Sequence, residues 1–245
     1  MSNRNTVPQE LSTRRFLMSV LYIGIPLVVS TLASVISDPD ENWVAQTNNV
    51  FNQVFAKNAW GWAVLVSLAL ARIQFLRGKL QDGFVKRLVW ATVYWALLTQ
   101  NLFGASFREK VFLASGGSCI LGEANTLSQC KAYGPNGWVG GHRISGHCLL
   151  LIHASLFLWE EFGQMLYMPI PERDERKPQS SADYSPVEQY VIYGARTILV
   201  LFLWLLTITC IYFHSFPEKL SGIFFGSLFW GTSYFYIFPA LSVCP

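Results

Sequence analysis

Charge is what this chain has least of. Only 13% of its 245 residues are Asp, Glu, Lys or Arg, while 52% are hydrophobic; a soluble domain carries roughly a quarter charged residues. That shortage excludes an ordinary water-facing surface. The formal net charge of +3 is too small to suggest a nucleic-acid partner. The five cysteines include no CxxC pair, which argues against zinc and dithiol redox motifs. No Asn-X-Ser/Thr sequon occurs, so N-glycosylation is not expected. A cleavable signal is not expected either, since residues 1–15 are polar and the apolar run 16–36 exceeds a signal's apolar core.

What is present is a series of long apolar blocks, and about 20 apolar residues cross a bilayer core. They predict an all-α polytopic membrane protein with six transmembrane helices, at residues 16–36, 54–75, 88–107, 146–168, 189–213 and 220–241. Together they make one transmembrane domain over 1–245. With both termini in the cytosol, eleven Lys and Arg fall on the inside and six on the opposite face, Arg196 staying within the membrane. Residues 106–145 then form a large lumenal loop and 169–188 a cytosolic hairpin rich in Pro, Ser and charge. Cys119 and Cys130 share the lumenal loop and can form a disulfide there.

Two histidines close apolar runs on the same predicted face, His147 at the start of the fourth span and His214 at the end of the fifth. Such a pair suits phosphoryl transfer, one ring as nucleophile and the other as general acid. Ser145-Gly146 precedes His147 and lets backbone N–H groups approach an anion at a helix N-terminus. Arg143 lies beside it as the first choice for phosphate binding. Glu218 follows His214 at i+4, where a helical turn would let it hold the far ring nitrogen, and Lys219 adds a cation. The bland alternative is a pair of interfacial histidines. A metal site at His142, His147 and His153 fails on spacing, because His153 falls about 240° round a helix from His147 at ~100° per residue; no metal and no cofactor is expected.

Acids within the fourth span need a partner. Glu160 and Glu161 lie roughly 20 Å below His147 at 1.5 Å per residue, and Arg196 in the fifth span is the expected ion-pair partner. This belt reads as structural or as lipid-binding. Gly222 and Gly226 form a GxxxG expected to let helices pack closely within the bundle.

The run Gly140-Gly141-His142-Arg143-Ile144-Ser145-Gly146-His147 with Glu160-Glu161 resembles the fat storage-inducing transmembrane (FIT) family, in the pattern of its fungal members. So does Tyr212-Phe213-His214 with Glu218-Lys219, Gly222, Gly226, Trp230 and Tyr234. The resemblance implies a multi-pass endoplasmic reticulum protein, related to lipid phosphate phosphatases, that serves lipid droplet formation and phospholipid metabolism. It implies cleavage of the diphosphate of fatty acyl-CoA on the lumenal side, giving acyl 4′-phosphopantetheine and adenosine 3′,5′-bisphosphate. His214 is then the nucleophile, His147 the acid and Glu218 the orienter, with Ser145, Gly146, Arg143 and Lys219 at the substrate. Two departures stand out: Ile144 replaces the proline before Ser-Gly-His, and the Ser-Arg usually found six residues before the second histidine is missing. In the absence of that Ser-Arg, Arg108, Lys110 and Lys131 are further candidates for phosphate binding beside Arg143 and Lys219. The competing expectations are a non-catalytic diacylglycerol or triacylglycerol binder and a phosphatidate-type phosphatase.

Overall fold

The computed structural model describes residues 6–36, 43, 46, 48–102, 104–167 and 184–241. The chain is helical almost throughout. The first helix, α1 (Thr6–Ser19), passes through a π-helical turn at Val20–Gly24 into α2 (Ile25–Ile36). Pro26 has no N–H to return to the preceding turn, and the widened turn lies directly before it. A second π turn, Phe51–Ala56, precedes α3 (Ala59–Leu76), and α4 spans Phe84–Thr99. Next comes a small cap made of α5 (Phe107–Ala114), β1 (Ser118–Cys119), α6 (Leu127–Tyr133) and β2 (Trp138–Val139). The chain then runs through α7 (Gly146–Tyr167), α8 (Pro186–Tyr212) and α9 (Phe216–Thr232). It ends in a π turn, Ser233–Ile237, and α10 (Phe238–Ala240), where Pro239 again follows the widened turn.

Among the described residues three helices are long and apolar enough to cross a membrane, Ser12–Val35, Ala59–Leu76 and Pro186–Tyr212. The third predicted span, 88–107, is displaced: its helix begins at Phe84 and stops at Thr99, which carries Arg87 inside the bundle. The second is broken at Lys57–Asn58 between the π turn and α3. The hairpin expected at 169–188 lies outside the described residues up to residue 183.

The organising element is α7. It is apolar nearly all the way round and correspondingly buried, with Leu149, Leu151, Ile152, Ala154, Leu156 and Leu158 at no measurable exposure. Helices α3, α4, α8 and α9 pack against it. On the α9 side the GxxxG glycines make the contact. A Cβ at Gly222 would come 2.7 Å from the Ser145 carbonyl oxygen, and one at Gly226 would come 3.0 Å from that of Leu149. His153 is a core residue, its ring 4.6 Å from Trp60 and its Nε2 3.2 Å from the Ala91 carbonyl oxygen.

The acids of α7 correct the sequence expectation. Glu160 pairs with Arg15 of α1, whose Nε donates to it at 2.9 Å, and accepts at 3.0 Å from Trp230 Nε1. Glu161 takes a two-pronged contact from Arg87 of α4 at 2.7 and 2.8 Å, with the Tyr234 hydroxyl also donating. Arg196 is not their partner; its Nη2 donates to the Met165 carbonyl oxygen at 3.3 Å. The arginines that look like topology signals at span ends are the ones that reach inward. Gly163 makes room for Arg14 beside them, since a Cβ there would lie 2.6 Å from Nη1.

Candidate functional site

The site forms where α7 begins and α8 breaks. α8 ends at Tyr212; Phe213 is extended, and His214 takes the left-handed conformation at φ 65°, uncommon outside glycine and the short polar residues. Ser215 then caps α9 through a reciprocal box with Glu218, helped by Pro217 in the first turn. His214 is therefore not on a helical turn with Glu218, as the i+4 spacing suggests. The carboxylate reaches it from the capping position, with Oε2 3.6 Å from Nδ1 and 2.9 Å from the Ser215 N–H that it also accepts.

Burial pushes the His214 imidazole below its ordinary value; Glu218 pulls the other way, and Arg108 and Lys219 add to the lowering. Burial alone would raise the Glu218 carboxyl, but the Ser215 N–H and hydroxyl, with His214 and the Arg143 N–H, hold it below the usual carboxylate range. The pair therefore rests as a neutral ring beside a carboxylate. Glu218 stands on the Nδ1 side of the ring, which favours the tautomer with its proton on Nδ1 and a free lone pair on Nε2.

Opposite stands the N-terminus of α7. The Ser145 hydroxyl accepts from the Cys148 N–H at 3.4 Å and so caps the helix; the Ser145 N–H donates to the Glu218 carbonyl oxygen at 3.0 Å. Residues 142–145 lie along the first turn of α9, where the Arg143 N–H meets Glu218 Oε1 and His142 Nε2 meets Ser221 Oγ at 2.8 Å. His147 follows in the first turn of α7, its ring 6.1 Å from that of Phe213. The charges acting on it are those of His214, Arg108 and Lys57.

The cations are ordered differently from the sequence expectation. Arg143 turns away, donating to the Trp138 carbonyl oxygen and covering the Phe112 ring; it braces the cap. Lys219 is buried, with its Nζ donating to the Cys210 carbonyl oxygen at 2.6 Å. Arg108 is the arginine whose charge acts on both histidines. Its Nε donates to the Ile144 carbonyl oxygen at 3.3 Å, and its guanidinium lies on Gly146, where a Cβ would meet Nη1 at 2.6 Å. Arg108 is carried by α5, opened by a capping box of Ser106 and Glu109. That Ser-x-x-Glu pattern is readable in the sequence and puts Arg108 in the first turn of a helix; nothing local says where the helix points.

The rest of the cap holds α5 in place. Cys119 and Cys130 are joined in a disulfide, β1 pairs antiparallel with β2 through Ser118–Val139 and Cys119–Trp138, and Trp138 stacks on Phe112 at 4.4 Å. Among the described residues no group of three His, Cys, Asp or Glu converges as metal ligands would.

The comparisons with known proteins agree on a family. The family described as "Fat storage-inducing transmembrane protein" matches residues 40–234. An acyl-coenzyme A diphosphatase of Schizosaccharomyces pombe is 31% identical over 95% of this chain and 89% of its own length. Proteins named acyl-coenzyme A diphosphatase from Xenopus laevis and Homo sapiens are 29% and 26% identical, over 88% and 93% of this chain and 80% and 84% of theirs. No solved structure matches the chain. The match over residues 40–234 takes in the cap, both histidines and the GxxxG contact, and the chain belongs to the fat storage-inducing transmembrane (FIT) family of membrane proteins.

Proposed function

We propose that this protein is a histidine-based acyl-CoA diphosphatase of the endoplasmic reticulum membrane, acting on the lumenal side. Its chain would form one domain of six spans with both termini in the cytosol. The observation that carries the reading is the guanidinium of Arg108 lying on the first residue of α7, next to His147 in sequence, where its charge acts on both histidines. A cation at the positive end of a helix dipole is repelled by it. A diphosphate between them satisfies both the helix N–H groups and the arginine. The relatives' names point to the same substrate, a fatty acyl-CoA whose diphosphate links an apolar thioester arm to a polar nucleotide.

In this reading His214 Nε2 attacks one phosphorus of the diphosphate. The N–P bond forms as the bond to the bridging oxygen breaks, and Glu218 stabilises the charge that develops on the ring. The departing phosphate takes its proton from His147. The substrate's phosphates, by offsetting the positive charge around the site, favour the proton that His147 gives up. Water then cleaves the phosphohistidine, with His147 as base, giving acyl 4′-phosphopantetheine and adenosine 3′,5′-bisphosphate. A link to lipid droplet formation and phospholipid metabolism goes with the family rather than with any contact.

The test is product release from oleoyl-CoA by detergent-purified protein with EDTA present. Wild type should release adenosine 3′,5′-bisphosphate, and His147→Ala and His214→Ala should each lose it by roughly 100-fold or more. Equal turnover in all three would sink the mechanism. The neutral-lipid-binding reading draws on Glu160, Glu161 and Arg196. Both acids are already engaged by buried partners, which weighs against it. A phosphatidate substrate is separated by the same assay with the lipid exchanged.

A further inference from the structure

We propose that Lys219 is a positioning residue that holds open the break from which His214 is presented, and that it does not bind substrate phosphate. The inference rests on the reading of His214 as nucleophile. In a continuous helix the Cys210 carbonyl would accept from the N–H of residue 214. Here the last helical bond runs from the Phe213 N–H to the Thr209 carbonyl, Phe213 turns extended and His214 goes left-handed. Cys210 is buried, so its carbonyl needs another donor. Lys219 Nζ supplies it at 2.6 Å from the first turn of α9.

The arrangement is built into both helices. Lys219 is itself only 4% exposed, and a cation at the C-terminal end of α8 is favoured by the helix dipole. The bond is charge-assisted and desolvated, which makes it stronger than a neutral contact. The same end of α8 packs in a bundle with α7, where Cys210 and Cys148, which directly follows His147, are both buried. Through its carbonyl Cys210 thus joins the end of α8 to the first turn of α9, on either side of His214.

Without the ammonium, the least costly repair is for α8 to wind one residue further. The His214 N–H would move onto the Cys210 carbonyl, its φ would become negative, and its ring would leave Glu218. Lys219 acts on the chemistry only through that backbone choice.

The experiment uses the full-length purified protein as wild type, Lys219→Met and Lys219→Arg. Oleoyl-CoA kinetics are measured beside carbethoxylation of His214 by diethyl pyrocarbonate, read residue by residue by mass spectrometry. For Lys219→Met, kcat should fall on the order of 100-fold, as for a catalytic group displaced by ~1 Å. KM should stay near wild type, and labelling of His214 should change while that of His142 does not. Lys219→Arg keeps the cation and should recover most of both. If Lys219→Met is not obtained folded, Lys219→Gln carries the same comparison. A raised KM with kcat and His214 labelling intact would make Lys219 a phosphate ligand and overturn the proposal, as would wild-type behaviour in every variant. Labelling needs no turnover. A wild type that hydrolyses nothing therefore sinks the diphosphatase reading, while the labelling still decides the role of Lys219.

Discussion

Gly146 does its work by having no side chain, because the guanidinium of Arg108 occupies the space a Cβ would fill. Gly146→Ala should displace that flexible side chain without unfolding α7, where alanine is favoured over glycine by about 1 kcal/mol. The expected outcome in acyl-CoA kinetics is a KM raised roughly tenfold, as for loss of one good charged contact, with thermal stability held or improved. Glu218 offers a second check through pH. The lowered His214 value keeps its ring neutral down to below ordinary imidazole titration, so kcat/KM should fall only as pH drops through that lowered value. Glu218 is the group that raises it; Glu218→Gln should move the acid limb to still lower pH while reducing kcat. An acid limb that moved upward would exclude direct coupling between the two.

At the scale of the elements, α7 is pinned through its two acids. Glu161→Gln removes the charged carboxylate that buried Arg87 grips with two N–H groups; breaking a buried pair from one side costs about 3–5 kcal/mol. A sharp drop in thermal unfolding temperature in detergent is expected, and an unchanged midpoint would show the pair to be dispensable. This pair also marks where the sequence stops being legible. Glu160 and Glu161 announce a need for partners by lying in an apolar run, and that need is met. Which arginine meets it depends on the axial offset of α4 and α1 against α7, and apolar blocks fix such offsets only to within a turn or two. Arg15 and Arg87 pass for topology signals because they stand at span ends. Gly222 and Gly226 were readable because a small-residue pair acts locally. The histidines were readable because each ends an apolar run. Arg108 was readable only as one candidate cation among several, because its approach to Gly146 depends on the folded cap, a contact between residues 38 apart in the chain.

For the molecule as a whole the open coordinate is orientation. At the start of α6 the chain reads Asn125-Thr126-Leu127, with Asn125 and Leu127 exposed, one residue short of a glycosylation acceptor. Leu127 is 37% exposed and its N–H, not its side chain, binds Glu109, so Leu127→Ser should be tolerated. A gain in mass reversible by endoglycosidase would put the cap in the lumen, as the charge bias predicts; an unmodified chain in a glycosylating cell would argue for the reverse. The polar cap and the buried ion pairs also bear on how the protein meets its bilayer. Helices Ser12–Val35 and Pro186–Tyr212 present most of their surface outward, with Val28, Leu32, Val35 and Val200 all exposed. Helix α7 is enclosed along most of its length, only its last turn opening at Gln164 and Tyr167, and it is tethered near both ends. A membrane that thickens or thins strains the outward-facing helices first and is met there by tilt. His147 stands on the enclosed helix while His214 follows the end of outward-facing α8, so a change in hydrophobic thickness reaches the histidine pair through α8.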